Sequence, residues 1–140
     1  MSGLQFDFAM LARAVSAHNG ELFIHSGGVR SITVQRFPAA IPMSIAARFV
    51  ADDSAMGEKH TLSAAVRGPH DVQPRFESPS LPFDVERPPD APPDQLVHLV
   101  VALTVLIPIT EAGPYHFDLL LDGERVQERG DVLTLHVRQS

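Results

Sequence analysis

Through most of this chain apolar and polar side chains take turns with a period of two. That spacing puts alternate residues on opposite faces of an extended strand. Ile32 and Val34 share one face of VRSITVQRF (29–37), while Ser31, Thr33 and Gln35 take the other. Met43, Ile45, Ala47 and Phe49 do the same in MSIAARFVA (43–51), as do Leu62, Ala64 and Val66 in HTLSAAVRG (60–68). Later, Tyr115, Phe117, Leu119 and Leu121 form one row, and Leu133, Leu135 and Val137 another. Twelve prolines and nine glycines punctuate the chain, as expected of a sandwich rather than of helices with crossovers. The pattern predicts an all-β fold, an antiparallel β-sandwich of about seven or eight strands, immunoglobulin-like or jelly-roll-like, in one domain over residues 1–140.

The first run, FDFAMLARAVSA (6–17), fits a strand or a helix, and the residues after it decide between them. HNGEL (18–22) contains Asn19-Gly20, a strong hairpin signal because both residues tolerate positive φ. Residues 6–17 are therefore expected to pair with ELFIHS (21–26). Gly27-Gly28 reads as a bend or bulge, FPAAIP (37–42) as an irregular connection, and DDSAMGEK (52–59) as a polar loop. Eight of the twelve prolines lie between 69 and 93. Missing so many N–H donors, this stretch cannot be a central strand. Residues 69–95 are read as a long proline-rich loop, with LPFDVE (81–86) as a short edge strand.

LVHLVVALTVLI (96–107) is the strongest strand in the sequence. Val97, Leu99, Val101, Leu103, Val105 and Ile107 form its core face. Its other face, with His98, Val100, Ala102, Thr104 and Leu106, is also mostly apolar. A strand apolar on both faces is covered on both. Val100, Ala102, Thr104 and Leu106 are thus candidate interface residues, covered by a helix, by a loop such as the proline-rich segment, or by a second subunit.

EAGPYHFDLLLDG (111–123) ends in the turn dipeptide Asp122-Gly123 and leads towards VLTLHVR (132–138) as a terminal hairpin. Its outward residues are His116 and Asp118 on one strand and Thr134 and His136 on the other. A loop centred near residue 126 places His116 opposite His136, with β carbons about 5 Å apart. His116, Asp118 and His136 would then suit a divalent metal. The competing reading is a plain solvated face.

Charge and composition narrow the classes. The net charge is −6 with a pI near 5.5, and Lys59 is the single lysine. Without clustered cations, neither nucleic acid nor an anionic membrane is an expected partner. There is no cysteine, hence no disulfide framework or zinc–thiolate site, which fits a reducing compartment. The opening MSGLQFDFAMLARAV is a poor secretory signal, and the apolar run at 99–109 is too short to span a bilayer. A cytoplasmic protein is expected. Seven histidines show no HExxH spacing, and there is no GxSxG, P-loop or GxGxxG. His98 reads as a satisfied core histidine, His18 as part of a turn, and Asp52, Asp53 and Glu58 as a solvated acidic loop rather than a calcium site.

Three stretches resemble a family of small bacterial β-sandwich proteins catalogued only as a domain of unknown function. They are FAMLARAVSAHNGELFIHSGGVRSI (8–32), FPAAIPMSIAARF (37–49) and VLIPITEAGPYHFDLLLDGERV (105–126). The chain departs from that pattern in its proline-rich insert and in Ala-Gly-Pro where Pro-Gly is more usual. The resemblance implies the fold and a bacterial cytosolic setting, and brings no catalytic residues. The expected function is that of a non-enzymatic protein without cofactor, acting through its surfaces as a homo-oligomer or with a protein partner. The alternative is small-ligand or metal binding through the terminal hairpin.

Overall fold

The computed structural model describes residues 3–126 and 133–140. In chain order the strands are β1 (Leu4–Ala12), β2 (Ala14–His18), β3 (Glu21–His25), β4 (Ser31–Val34), β5 (Ala39–Ala51), β6 (Lys59–Arg67), β7 (Phe76–Glu77), β8 (Leu81–Asp84), β9 (Val97–Ile109), β10 (Gly113–Leu121), β11 (Glu124–Arg125) and β12 (Leu133–Gln139). One 3-10 turn, Asp53–Ala55, precedes β6. The strands form a sheet of order β1-β5-β9, a second of order β4-β12-β10-β6-β7, and the β2–β3 hairpin. In the second sheet β11 pairs with β10 and β8 with β6. Among the described residues the pairings are antiparallel except β4–β12, which is parallel. The all-β sandwich is as the periodicity predicts, but its second sheet is mixed.

The core lies between the two larger sheets. Met43, Ile45, Phe49, Leu62, Val66, Ile107, Tyr115, Phe117, Leu119 and Leu135 are fully buried there. Each such side chain contributes about 1.5–3 kcal/mol by leaving water. Tyr115 needs a partner for its buried hydroxyl. It donates to the Glu111 carbonyl at 2.8 Å and accepts longer contacts from the Thr110 and Glu111 N–H groups at 3.3 and 3.4 Å. A tyrosine at a strand start that bonds backbone a few residues upstream is the tyrosine corner of immunoglobulin-type sandwiches. Gly113, at φ +134, is placed so that a Cβ would meet the Pro69 ring at 2.7 Å. The stretch 111–123 is therefore corner and core.

Several predicted elements differ from those observed. Residues 6–17 do not form one strand. Arg13 interrupts them, β1 pairs with β5, and only β2 pairs with β3. The turn signal itself is right, since Asn19 and Gly20 have φ of 51° and 76° and join His18 to Glu21. Residues 39–42 are strand rather than irregular connection. Pro42 is accommodated because β1 pairing stops at Ser44, leaving β5 an edge at that point. In the proline-rich stretch the short edge strand expected within 81–86 is β8, and β7 is an addition; both pair with β6 at the sheet edge.

The outward face of β5 and β9 is covered by the β2–β3 hairpin. The sheet rows there are Ala12, Ser44 and Thr104, then Met10, Ala46 and Ala102. Small side chains in those rows leave a shallow recess, and Ser44 and Ala46 are buried in it. Val15, Ser16, Ala17, Leu22 and Ile24 are the half-buried positions of the hairpin, while Phe23 is exposed.

Candidate functional site

The terminal hairpin has a different register from the one expected. His136 lies opposite Pro114, and His116 opposite Thr134. The chain turns immediately at Asp122-Gly123, with φ of 52° and 84°, so Leu121 faces Glu124. Beyond that tight turn, the pairing of β10 with β12 is centred on residue 125 rather than 126, and His116 misses His136 by two positions.

His116 and Asp118 already have partners. Asp118 sits between two guanidiniums, with Arg67 Nε 3.4 Å from Oδ2 and Arg125 Nε 3.3 Å from Oδ1. Its Oδ1 makes no hydrogen bond despite its burial. His116 Nδ1 is 3.1 Å from the Thr134 hydroxyl. Burial lowers the His116 pKa, the charges of Arg67 and His136 lower it further, and Asp118 opposes them. Among the described residues no group of three histidine or acidic side chains is arranged to hold a metal ion. Of the outward residues His116, Asp118 and His136, Asp118 is ion-paired, His116 contacts Thr134, and His136 lies two positions away from the partner of His116.

The acidic loop is also internally committed. Asp52 caps the 3-10 turn by accepting from the Ser54 N–H at 2.9 Å, and its bonds to the Ser54 hydroxyl and backbone lower its pKa. Asp53 pairs with Arg87. Glu58 and Asp122 grip His60 from both sides, Nε2 to Glu58 Oε1 at 3.0 Å and Nδ1 to Asp122 Oδ2 at 2.6 Å. Phe83 lies against the imidazole, centroid to centroid 5.8 Å. A ring donating to two carboxylates must carry both protons. Burial opposes that charge, yet the bonds to Asp122 and Glu58 outweigh it and raise the His60 pKa. This latch was not visible in the sequence, where His60 and Asp122 stand 62 residues apart.

On β9 the four candidate interface residues fall into two pairs. Val100 and Ala102 are half-buried beside the hairpin. Thr104 is exposed with its hydroxyl 3.0 Å from Ser44 Oγ, and Leu106 is 58% exposed. His98 is exposed too, on the outward face, and so is not the core histidine expected. With His18, Glu86 and Pro88 it borders a shallow cleft of about 250 Å³ at the hairpin tip. The edge of β9 away from β5 has no strand neighbour among the described residues. Neither the hairpin nor the proline-rich stretch pairs with that edge.

Fold and surface together define a small all-β sandwich with a hairpin folded over one face. The chain belongs to the family described as Family of unknown function (DUF6941), which matches residues 7–137. No curated protein matches it. Among solved structures it is similar to Pseudomonas fluorescens alkylpurine DNA glycosylase AlkC bound to DNA containing an abasic site analog, with 9% identity and a TM-score of 0.54. The match covers 98% of this chain and 31% of that chain, so this chain spans less than a third of that glycosylase's length. At that identity the likeness is one of fold. Among the described residues no helix is long and apolar enough to cross a membrane.

Proposed function

We propose that this protein is a non-enzymatic interaction module that associates with a second copy of itself through the free edge of β9. One observation carries the reading. β9 is thirteen residues long, stands at the edge of its sheet, and bears no aspartate, glutamate, lysine or arginine anywhere from Gln95 to Thr110. An edge strand presents a row of unpaired N–H and C=O groups, and charges or early prolines are the usual means of blunting it. Here the first proline is Pro108, one residue from the strand's end. For a chain of net charge −6, this uncharged strand is also where two copies meet with least repulsion.

Antiparallel self-pairing would place the strand's own residues opposite one another and generate the two-fold contact commonest among oligomers. Leu106 would lie beside that seam. The polar clusters around Asp118, His60 and Asp52 are occupied by one another, which supports a role without catalysis or cofactor. The dispersed arginines argue against nucleic-acid and membrane partners. The cysteine-free sequence suits a bacterial cytoplasm.

Native mass spectrometry of the untagged protein at tens of micromolar tests the reading, alongside Leu106→Arg. A wild-type dimer that becomes monomeric in the variant, which stays folded but loses the concentration-dependent part of the melting temperature, is the expected result. A wild-type monomer would overturn it.

A further inference from the structure

A cleft of about 400 Å³ opens beside β12, on the edge of the sandwich away from the free edge of β9. It is independent of the association through β9. Leu11, Val29 and Leu133 give it an apolar floor, and Arg30, Thr134 and His136 a polar rim. The cleft exists because β4 begins late. β4 pairs with β12 only from His136 onward, so Leu133 to Leu135 have no strand neighbour on that side among the described residues.

We infer that this cleft binds a small amphipathic carboxylate. Arg48, Arg67, Arg75, Arg87 and Arg125 each pair with an aspartate. Arg13, Arg30, Arg36 and Arg138 have no ion pair among the described residues, and of these Arg30, exposed at the cleft mouth, lines the cleft. A guanidinium fork fits a carboxylate with two parallel hydrogen bonds, and the neighbouring hydroxyl and imidazole supply further polar contacts. The three apolar side chains below suit a hydrocarbon portion, and the volume lies at the lower end of ordinary ligand sites.

The backbone that presents these groups is fixed. The His136 N–H donates to the Arg30 carbonyl at 2.7 Å, and the Gly28 and Val29 N–H groups donate to the Leu11 carbonyl at 2.8 and 3.1 Å. Thr134 is held by His116. Little ordering remains to be done when a ligand arrives, which favours affinity.

Titration of the full chain with decanoate, followed by amide chemical shifts, tests the inference, with decanol as the uncharged comparison. Saturable one-site binding is expected, with shifts centred on Arg30, Thr134 and His136. Arg30→Ala should weaken it at least about tenfold, as loss of a charged bidentate contact does, and Arg30→Lys should weaken it less. Thermal melts of both variants should match the wild type, because the Arg30 side chain is exposed. Absence of saturation at about 1 mM, the weak end of specific affinity, would overturn the inference. So would equal binding by Arg30→Ala, equal binding of decanol, or shifts confined to another face.

Discussion

β5 and β9 lie side by side over thirteen paired positions, from Ala39 opposite Ile109 to Ala51 opposite Val97. Their inward faces are equivalent, with Ile45 and Leu103 buried opposite one another. Their outward faces are not. Ser44 and Ala46 of β5 are buried under the β2–β3 hairpin, whereas Thr104 of β9, opposite Ser44, is exposed. The β2–β3 hairpin packs over both strands, yet β5 lies between β1 and β9 whereas β9 has an open margin among the described residues. Apolarity on a second face says that something covers it. Side-chain size helps to say what, since a row of alanine and serine admits a backbone layer while Leu106 stands proud.

The largest effect should come from the face the two strands share. Ile45→Ala is expected to cost about 2–5 kcal/mol, as truncation in a packed core does; Leu103→Ala should fall in the same range. Chemical denaturation measures both, and a large gap between them would show that the inward faces are not equivalent. The outward faces should separate more sharply. Ala46→Leu forces extra carbons under the hairpin and should cost about 1–3 kcal/mol, whereas Ala102→Leu, half-exposed beside it, should cost well under about 1 kcal/mol. Equal penalties would mean that the hairpin does not discriminate between the strands.

The His60 latch offers a comparison away from both strands, through pH. Its folded pKa is raised above the ordinary 6.5, so its stabilisation is complete below pH 6.5 and is lost as pH rises through the folded value. Asp122 is lowered from 3.8, burial opposing and the hydrogen bonds from His60 and Thr61 prevailing. Its contribution is present above 3.8 and is lost as pH falls through the lower folded value. The groups facing the imidazole are Glu58 from the loop before β6, Asp122 from the β10–β11 turn and the uncharged Phe83 from β8. Melting temperature should therefore decline as pH rises above 6.5, and His60→Gln should flatten that decline. An unchanged alkaline slope in the variant would remove the latch from the account. Smallest of all, Leu106→Arg should change the stability of the dissociated protomer, compared at high dilution, by no more than about 0.5 kcal/mol, while abolishing association and the added stability that comes with it.

Local signals were legible in the sequence and long-range ones were not. Asn19-Gly20 and Asp122-Gly123 announced their turns because few residues tolerate positive φ. The rows Leu62–Ala64–Val66 and Tyr115–Phe117–Leu119 announced the core because a strand has only two faces. The break at Arg13 was hidden, since Phe6, Phe8, Met10, Ala12 and Ala14 keep period two across it while the two halves serve different sheets. The parallel β4–β12 pairing joins strands far apart in the chain, and no local pattern marks it. The hairpin register failed on a single residue, because a shift of one in the centre of pairing moves every partner by two. His116, Asp118 and His136 were read as one outward group, but the register sets His116 opposite Thr134 rather than His136, and two arginines flank Asp118. The Glu58–His60–Asp122 latch and the cleft at Arg30 depend on tertiary placement alone.

The most direct test of the β9 edge is amide hydrogen exchange at several protein concentrations. Edge amides of a monomer exchange from the folded state, whereas paired ones wait for dissociation. The account predicts that protection within residues 97–109 rises with concentration while that of β5 and β10 stays constant. Protection in 97–109 that is the same from the most dilute to the most concentrated sample would contradict it.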